Sequence, residues 1–268
     1  MSAVLPRALT IAGSDSGGGA GIQADLKTFT ELDTFGMSVI VALTAQNTLG
    51  VHGVHEVPPE FVTAQLDAVA GDIGVDAAKT GMLASAALID VVADGVARHG
   101  IARLVVDPVC ASKHGDALVR PDAIDALKRR ILPLAEVATP NLGEVAALTG
   151  VQVRGADDLP AAAEAVLALG PRWVLVKGGH LPDVVDAVDL LTDGSTTVEV
   201  RGERSAAAHT HGTGCTLAAA IAAHRALGLD VVDAVRAAKE YVTGAIRHGL
   251  ALGGGIGPVD HGWRRHSP

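Results

Sequence analysis

Short runs of small and branched apolar residues recur along the chain at positions 8–12, 39–43, 77–80, 104–107, 137–139 and 173–177, and each runs into a glycine, a proline or a polar turn. Between them lie stretches of helical periodicity, at 22–32, 59–70, 84–99, 121–131 and 161–169. Short strands without polar alternation are buried on both faces, as in a parallel sheet, and strand–helix alternation lays helices over those faces. The expected fold is therefore a three-layer, doubly wound α/β domain with a mostly parallel sheet. Hydrophobic residues at 49% with aromatics at only 2% fit a core built from Ala, Val, Leu and Ile. One interruption is visible. Segments 184–191 and 196–200 flank Thr192-Asp193-Gly194-Ser195 with no helix between them, which predicts an antiparallel hairpin near 184–200. Helices at 216–227 and 231–248 and a glycine-rich tail at 253–257 complete a single domain over 1–268, without internal repeat or linker.

Charge and hydropathy narrow the partners. A net charge of −9 with no basic run argues against nucleic acid or an anionic membrane, so any phosphate must be gripped locally. No apolar span reaches 18 residues and Met1-Ser2-Ala3-Val4-Leu5-Pro6-Arg7 lacks signal-peptide architecture, so a cytoplasmic protein is expected. Cys110 and Cys215 could form one disulfide at most, and a reducing compartment argues against it.

In doubly wound sheets ligands bind beyond the carboxyl ends of the strands, and the motifs with chemical content fall there. His209-Thr210-His211-Gly212-Thr213-Gly214-Cys215-Thr216 opens an alanine-rich helix. Backbone N–H groups at such a start have no partner within the helix, and the dipole adds positive charge, which makes an anion seat. Cys215 stands at the helix start, where a thiol pKa is usually lowered, so a base adjoins a place for developing negative charge, as phosphoryl transfer requires. The plainer alternative is a glycine-containing cap with a small buried thiol. Lys177, followed by Gly178 and Gly179, can serve as a point charge for a phosphate. Asn141 and Glu144, three apart after Pro140, either hold a hydrated Mg²⁺ or form a capping box. Asp107 is either an acid near that metal or a loop anchor. Met82 and Val109 line an apolar slot or belong to the core.

Other patterns are weaker. Gly19-Ala20-Gly21-Ile22-Gln23-Ala24 fits the loose dinucleotide pattern, but residues 14–18 separate it from the strand and Asp33 comes too early for the ribose acid. A glycine loop that lets a small planar ligand approach the backbone fits better. No Walker loop occurs. Asp25 and Lys27 read as a solvated or structural pair. His209 and His211 have no further ligand at a usual zinc spacing.

Taken together, Gly13-Ser14-Asp15 through Thr28, Thr44-Ala45-Gln46-Asn47-Thr48, Lys79-Thr80-Gly81-Met82, Asp107-Pro108-Val109, Thr139-Pro140-Asn141-Leu142-x-Glu144, Lys177-Gly178-Gly179-His180 and His211-Gly212-Thr213-Gly214-Cys215-Thr216 resemble, in order, the hydroxymethylpyrimidine/phosphomethylpyrimidine kinases of thiamine biosynthesis, within the ribokinase-like superfamily. The resemblance covers nearly the whole chain. It implies two ATP-dependent phosphorylations, first of the alcohol of 4-amino-5-hydroxymethyl-2-methylpyrimidine and then of its monophosphate, with Mg²⁺. Carried over by position, Gln46 bonds the aminopyrimidine edge while Gly13, Ala20, Met82 and Val109 wall it. Gly212, Thr213 and Gly214 form the anion hole, Cys215 stands where most of the superfamily has an aspartate base, and Lys177, Asn141, Glu144 and Asp107 handle Mg-ATP. Relatives by resemblance include pyridoxal kinases, which tend to lack the Gln-Asn-Thr turn, and a pyridoxal/pyridoxine kinase of the same superfamily is the alternative reading. A non-catalytic pyrimidine sensor and a nicotinamide-dependent dehydrogenase are the rivals of other classes. Homodimers are common in the superfamily, and one is expected here.

Overall fold

The computed structural model describes residues 5–110, 120–179, 181 and 186–266, so His180 and the expected strand positions 184–185 lie outside the described residues. Strands β1 (Arg7–Gly13), β2 (Phe35–Asn47), β3 (Gly50–Glu56), β4 (Ala77–Thr80), β5 (Leu104–Val106), β6 (Val137–Ala138), β7 (Trp173–Val176), β8 (Asp186–Thr192) and β9 (Thr197–Glu203) form one sheet in the order β3-β2-β1-β4-β5-β6-β7-β8-β9. From β2 through β7 neighbours are parallel. β3, β8 and β9 add antiparallel edges. The hairpin expected near 184–200 is the β8–β9 pair.

The helices are α1 (Gly21–Glu31), α2 (Pro59–Asp72), α3 (Ala86–Arg98), α4 (Pro121–Ala126), α5 (Leu142–Thr149), α6 (Leu159–Leu167), α7 (Thr213–Ala226), α8 (Val231–Arg247) and α9 (Trp263–His266). Alternate residues of one strand serve opposite layers. In β5, Val105 packs with Phe29 of α1 and with α7 and α8, whereas Leu104 and Val106 pack with α3. Val174 and Val176 of β7 join α6 on that second face. Most of α7 is buried all round, with Ala218, Ala219, Ala220, Ala222 and Ala223 fully enclosed, because methyl side chains let it lie between the sheet, α1 and α8.

One local expectation is corrected, and one strand is added. The polar stretch Thr44 to Asn47 is the end of a 13-residue strand rather than a turn, and β3 pairs with it although its sequence gives no strand signal. Gly50–Glu56 is an edge, largely exposed, so it needs neither apolar alternation nor a buried face. The topology changes direction at β1, whose neighbours β2 and β4 lead to opposite sides of the sheet. Such a switch point opens a crevice at the carboxyl ends.

Candidate active site

Helix α7 starts at Gly212, whose φ of +83° is open to glycine at little cost. A Cβ there would also stand 1.9 Å from the Gly19 carbonyl oxygen, so the first glycine loop rests directly on the seat. Gly19 itself packs on His211 and Pro258, whereas Gly21, at φ +56°, packs on the Gly13 carbonyl at the end of β1. The backbone N–H groups of Gly212, Gly214 and Cys215 meet no protein acceptor among the described residues, which leaves three donors for a ligand. Thr213 is engaged locally by comparison, its N–H and its hydroxyl both donating to Thr210 O, at 3.3 and 2.8 Å.

The charged cluster lies against this seat. Lys177, just past β7, donates to Asp107 Oδ1 at 2.9 Å and lies 3.9 Å from Glu144 Oε2. Thr139 bonds the same Asp107 oxygen at 3.1 Å. A Cβ placed on Gly214 would be 3.5 Å from Lys177 Nζ and 3.6 Å from Asp107 Oδ2, so cation, carboxylate and seat are contiguous. Burial alone would lower the Lys177 ammonium, but Asp107 and then Glu144 more than reverse this and hold it above its ordinary value. Burial pushes the Glu144 carboxyl up to about 7, against the pull of Lys177. The capping box between Asn141 and Glu144 is fully formed, with Glu144 N–H donating to Asn141 Oδ1 at 2.9 Å and Asn141 N–H to Glu144 Oε2 at 2.8 Å. Asn141 Oδ1 is therefore committed to starting α5. Asp107 Oδ2 accepts no hydrogen bond among the described residues and faces the seat. Two buried carboxylates, one with an open oxygen, are the hard oxygen donors that suit Mg²⁺.

On the other side of the seat stand the residues expected to wall a ring. Gly13 ends β1, and a Cβ there would meet Met82 Cε at 2.6 Å, so the Met82 methyl packs directly on the Gly13 backbone. Ala20 stands at the start of α1 with its N–H bound to Asp15 Oδ2 at 2.8 Å. Gln46, near the end of β2, is clamped by Ser16, whose hydroxyl donates to its carbonyl at 2.8 Å and accepts from its N–H at 2.9 Å. Val109 follows β5 by a tight turn onto Asp107 O, and is half-buried.

Cys215 departs from expectation. Burial pushes its thiol up to about 11, despite the charge of Lys79, with Asp25 and Asp107 adding to the rise and the Gly21 N–H opposing it. The helix start is outweighed because the sulfur sits in packed protein with carboxylates near it. Asp25 is not paired with Lys27 either. It forms a fully buried pair with Lys79, 2.8 Å away, and accepts from Thr10 Oγ1 at 2.6 Å, while Lys27 reaches back to Gly18 O. Sequence spacing hides this pair because its members are 54 residues apart, on α1 and β4. Asp15 with His211 is a second missed contact, at 2.9 Å. His209 is occupied by the tail, its Nδ1 accepting from Gly257 N–H at 3.1 Å. A separate concavity of about 470 Å³, lined by Glu136, Arg172 and Arg225 among others, opens at the amino ends of β6 and β7 and contains none of these residues.

A helix start with unaccepted N–H groups, set between a buried Lys–Asp–Glu cluster and a glycine loop on this strand order, fits a ribokinase-like small-molecule kinase. The family description "Phosphomethylpyrimidine kinase" matches residues 15–260, and the chain belongs to that family. It is 62% identical over 258 residues to the hydroxymethylpyrimidine/phosphomethylpyrimidine kinase of Streptomyces coelicolor, covering 96% of this chain and 95% of that one. Among solved structures, the ADP complex of Bacillus subtilis pyridoxal kinase superposes with a TM-score of 0.91 at 39% identity, over 98% of this chain and all of that one. The phosphomethylpyrimidine kinase of Clostridium difficile gives 0.80 at 42%, over 90% of this chain and 99% of that one.

Proposed function

We propose that this chain phosphorylates 4-amino-5-hydroxymethyl-2-methylpyrimidine with ATP, and then phosphorylates the monophosphate to the diphosphate, for thiamine biosynthesis. One observation carries this reading: Gly214 adjoins Lys177 and Asp107 on one side, while Gly212 rests on the glycine loop between β1 and α1 on the other. A phosphate chain held by the first and an aromatic alcohol held by the second would meet at the seat.

Gly13, Ala20, Met82 and Val109 wall the ring, and Gln46 bonds its amine-bearing edge. Lys177 supplies a point charge for the phosphates. Asp107 and Glu144 are the residues that would hold Mg²⁺, which would neutralise charge on the phosphate oxygens. The alcohol oxygen bonds to the γ-phosphorus as the bond to the ADP oxygen breaks, and the N–H groups of Gly212, Gly214 and Cys215 take up charge on the transferring group. The alcohol proton passes to Cys215 Sγ in the fraction of molecules in which this thiol has first given its proton to solvent and is a thiolate. In the second phosphorylation the acceptor is already an ionised phosphate, so no base is needed. The enzyme of this reading works in the cytoplasm beside its ATP, as a homodimer. Exposed Leu43, Leu49 and Val54 on the β2–β3 hairpin are side chains a second copy would cover.

A coupled ATP-consumption assay with Mg²⁺, offering the pyrimidine alcohol, its monophosphate and pyridoxal separately and identifying products by mass, tests the proposal. Turnover of both pyrimidines with pyridoxal slow or inert is expected. Turnover of pyridoxal alone would favour the second reading, to which the solved pyridoxal kinases point.

A further inference from the structure

His211 is the residue at which four segments meet. Its backbone N–H donates to Gly257 O at 3.0 Å and its carbonyl accepts from Val259 N–H at 3.1 Å, which ties the glycine-rich tail to the start of the seat. Its ring lies so close to the first loop that a Cβ on Gly19 would be 2.6 Å from Cδ2. Its Nε2 lies 2.9 Å from Oδ2 of Asp15, a buried carboxylate that also accepts from the N–H groups of Gly17, Gly19 and Ala20. A carboxylate only accepts, so the hydrogen sits on His211 Nε2. That same atom is 3.4 Å from Nε2 of Gln46.

The backbone of Gln46 is clamped by Ser16, and a half-turn of its carboxamide exchanges oxygen and nitrogen without changing shape. In one orientation the amide N–H faces the N–H of His211, and Oε1 lies 3.2 Å from Thr44 Oγ1, whose single proton already goes to Ser14 O at 2.8 Å. Both contacts are then poorly matched. The half-turn repairs both: the carbonyl takes a longer, second share of the hydrogen that His211 gives mainly to Asp15, and an amide N–H donates to the Thr44 oxygen.

We propose that His211 is a positioning residue for substrate recognition: its Nε2, protonated and held by Asp15, cannot accept from an amide N–H, which turns the Gln46 carbonyl toward His211 and so sets the order in which Gln46 offers acceptor and donor to the substrate ring. This rests on Gln46 reading the aminopyrimidine edge, as proposed above. An amine beside a ring nitrogen presents a donor next to an acceptor. The 4-oxo analogue presents a carbonyl beside a ring N–H, the reverse order, and is the diagnostic probe.

Isothermal titration of the full chain with the aminopyrimidine alcohol, its 4-oxo analogue and Mg-ADP tests the inference. The wild type is expected to bind the amine about tenfold or more tightly than the analogue, the consequence of setting like groups against each other in an enclosed contact. His211→Phe keeps a ring but removes the N–H, and should collapse that ratio to within about threefold with Mg-ADP affinity unchanged. His211→Gln, which retains an N–H donor, should restore the ratio. Should the Phe variant fail to fold, Asp15→Asn takes its place, since it frees the imidazole to change the hydrogen it presents, and the same collapse is expected. A wild-type ratio in a folded His211→Phe or Asp15→Asn protein overturns the inference, even if both affinities fall together. Failure of the wild type to bind either pyrimidine overturns the substrate reading and the inference with it.

Discussion

Gly214 is the residue at which stability and activity part. A methyl there makes ordinary van der Waals contact with Lys177 and Asp107, and replacing glycine by alanine in a helix stabilises by about 0.5–1 kcal/mol. Gly214→Ala should therefore melt no lower than the wild type while losing about tenfold or more in kcat, because the methyl stands where the phosphoryl group must pass. Thermal melting and turnover on one preparation check this; a fall in Tm alongside kcat would mean the fold, not the seat, was hit. Cys215 gives a second residue-scale prediction. With its thiol at about 11, the thiolate fraction near neutrality is small and grows roughly tenfold per pH unit, so the rate on the alcohol should climb between pH 7 and 9. Cys215→Ala should flatten that climb and cost about 10²-fold on the alcohol, and much less on the monophosphate. Equal losses on both substrates would remove the base from the mechanism. The identity of this thiol was legible in the sequence, but its titration was not, since burial and the charges of Lys79, Asp25 and Asp107 come from other elements.

At the scale of elements, α5 carries its own cap and a cluster acid in one side chain. Glu144 is raised to about 7, so it is mostly protonated below that pH, and holding Mg²⁺ requires the carboxylate. Affinity for Mg-ADP should weaken by up to about tenfold per unit as pH falls below 7 and level off above it, with the Glu144-dependent part of the slope absent in Glu144→Gln; titration calorimetry at several pH values would show it. The tail after α8 offers a stability test. His261 is buried beside Thr216 of α7, at 3.1 Å, and burial first, then the charge of Lys27, lowers its pKa to about 4. A depressed histidine stabilises fully above its unfolded value near 6.5, and that contribution disappears as pH falls toward 4, by about 3 kcal/mol in all. Urea midpoints should drop across this window, and His261→Gln should drop less. The tail reads as mere punctuation in sequence, yet Gly255 and Ile256 donate their N–H groups to Thr48 and Gly257 bonds both His209 and His211. Glycine density signalled close approach, but not to what.

For the whole molecule, β1 through β9 share one sheet and the two helical layers are packed on it, so we propose that the chain unfolds as one unit. Calorimetry should show a single transition whose calorimetric and van't Hoff enthalpies agree, and two resolved transitions would refute it. The sequence by itself determined the layered α/β architecture, the hairpin after β7 and the loops that carry chemistry, because each depends on local periodicity, turn residues and motifs that lie within a few positions of one another. Only the tertiary structure decided that Asp25 belongs to Lys79, that His211 belongs to Asp15 and Gln46, that β3 joins the sheet edge, and that the Cys215 thiol rests protonated. Those outcomes depend on which distant segments share a packed, low-dielectric space, where neighbours and desolvation outweigh local preference.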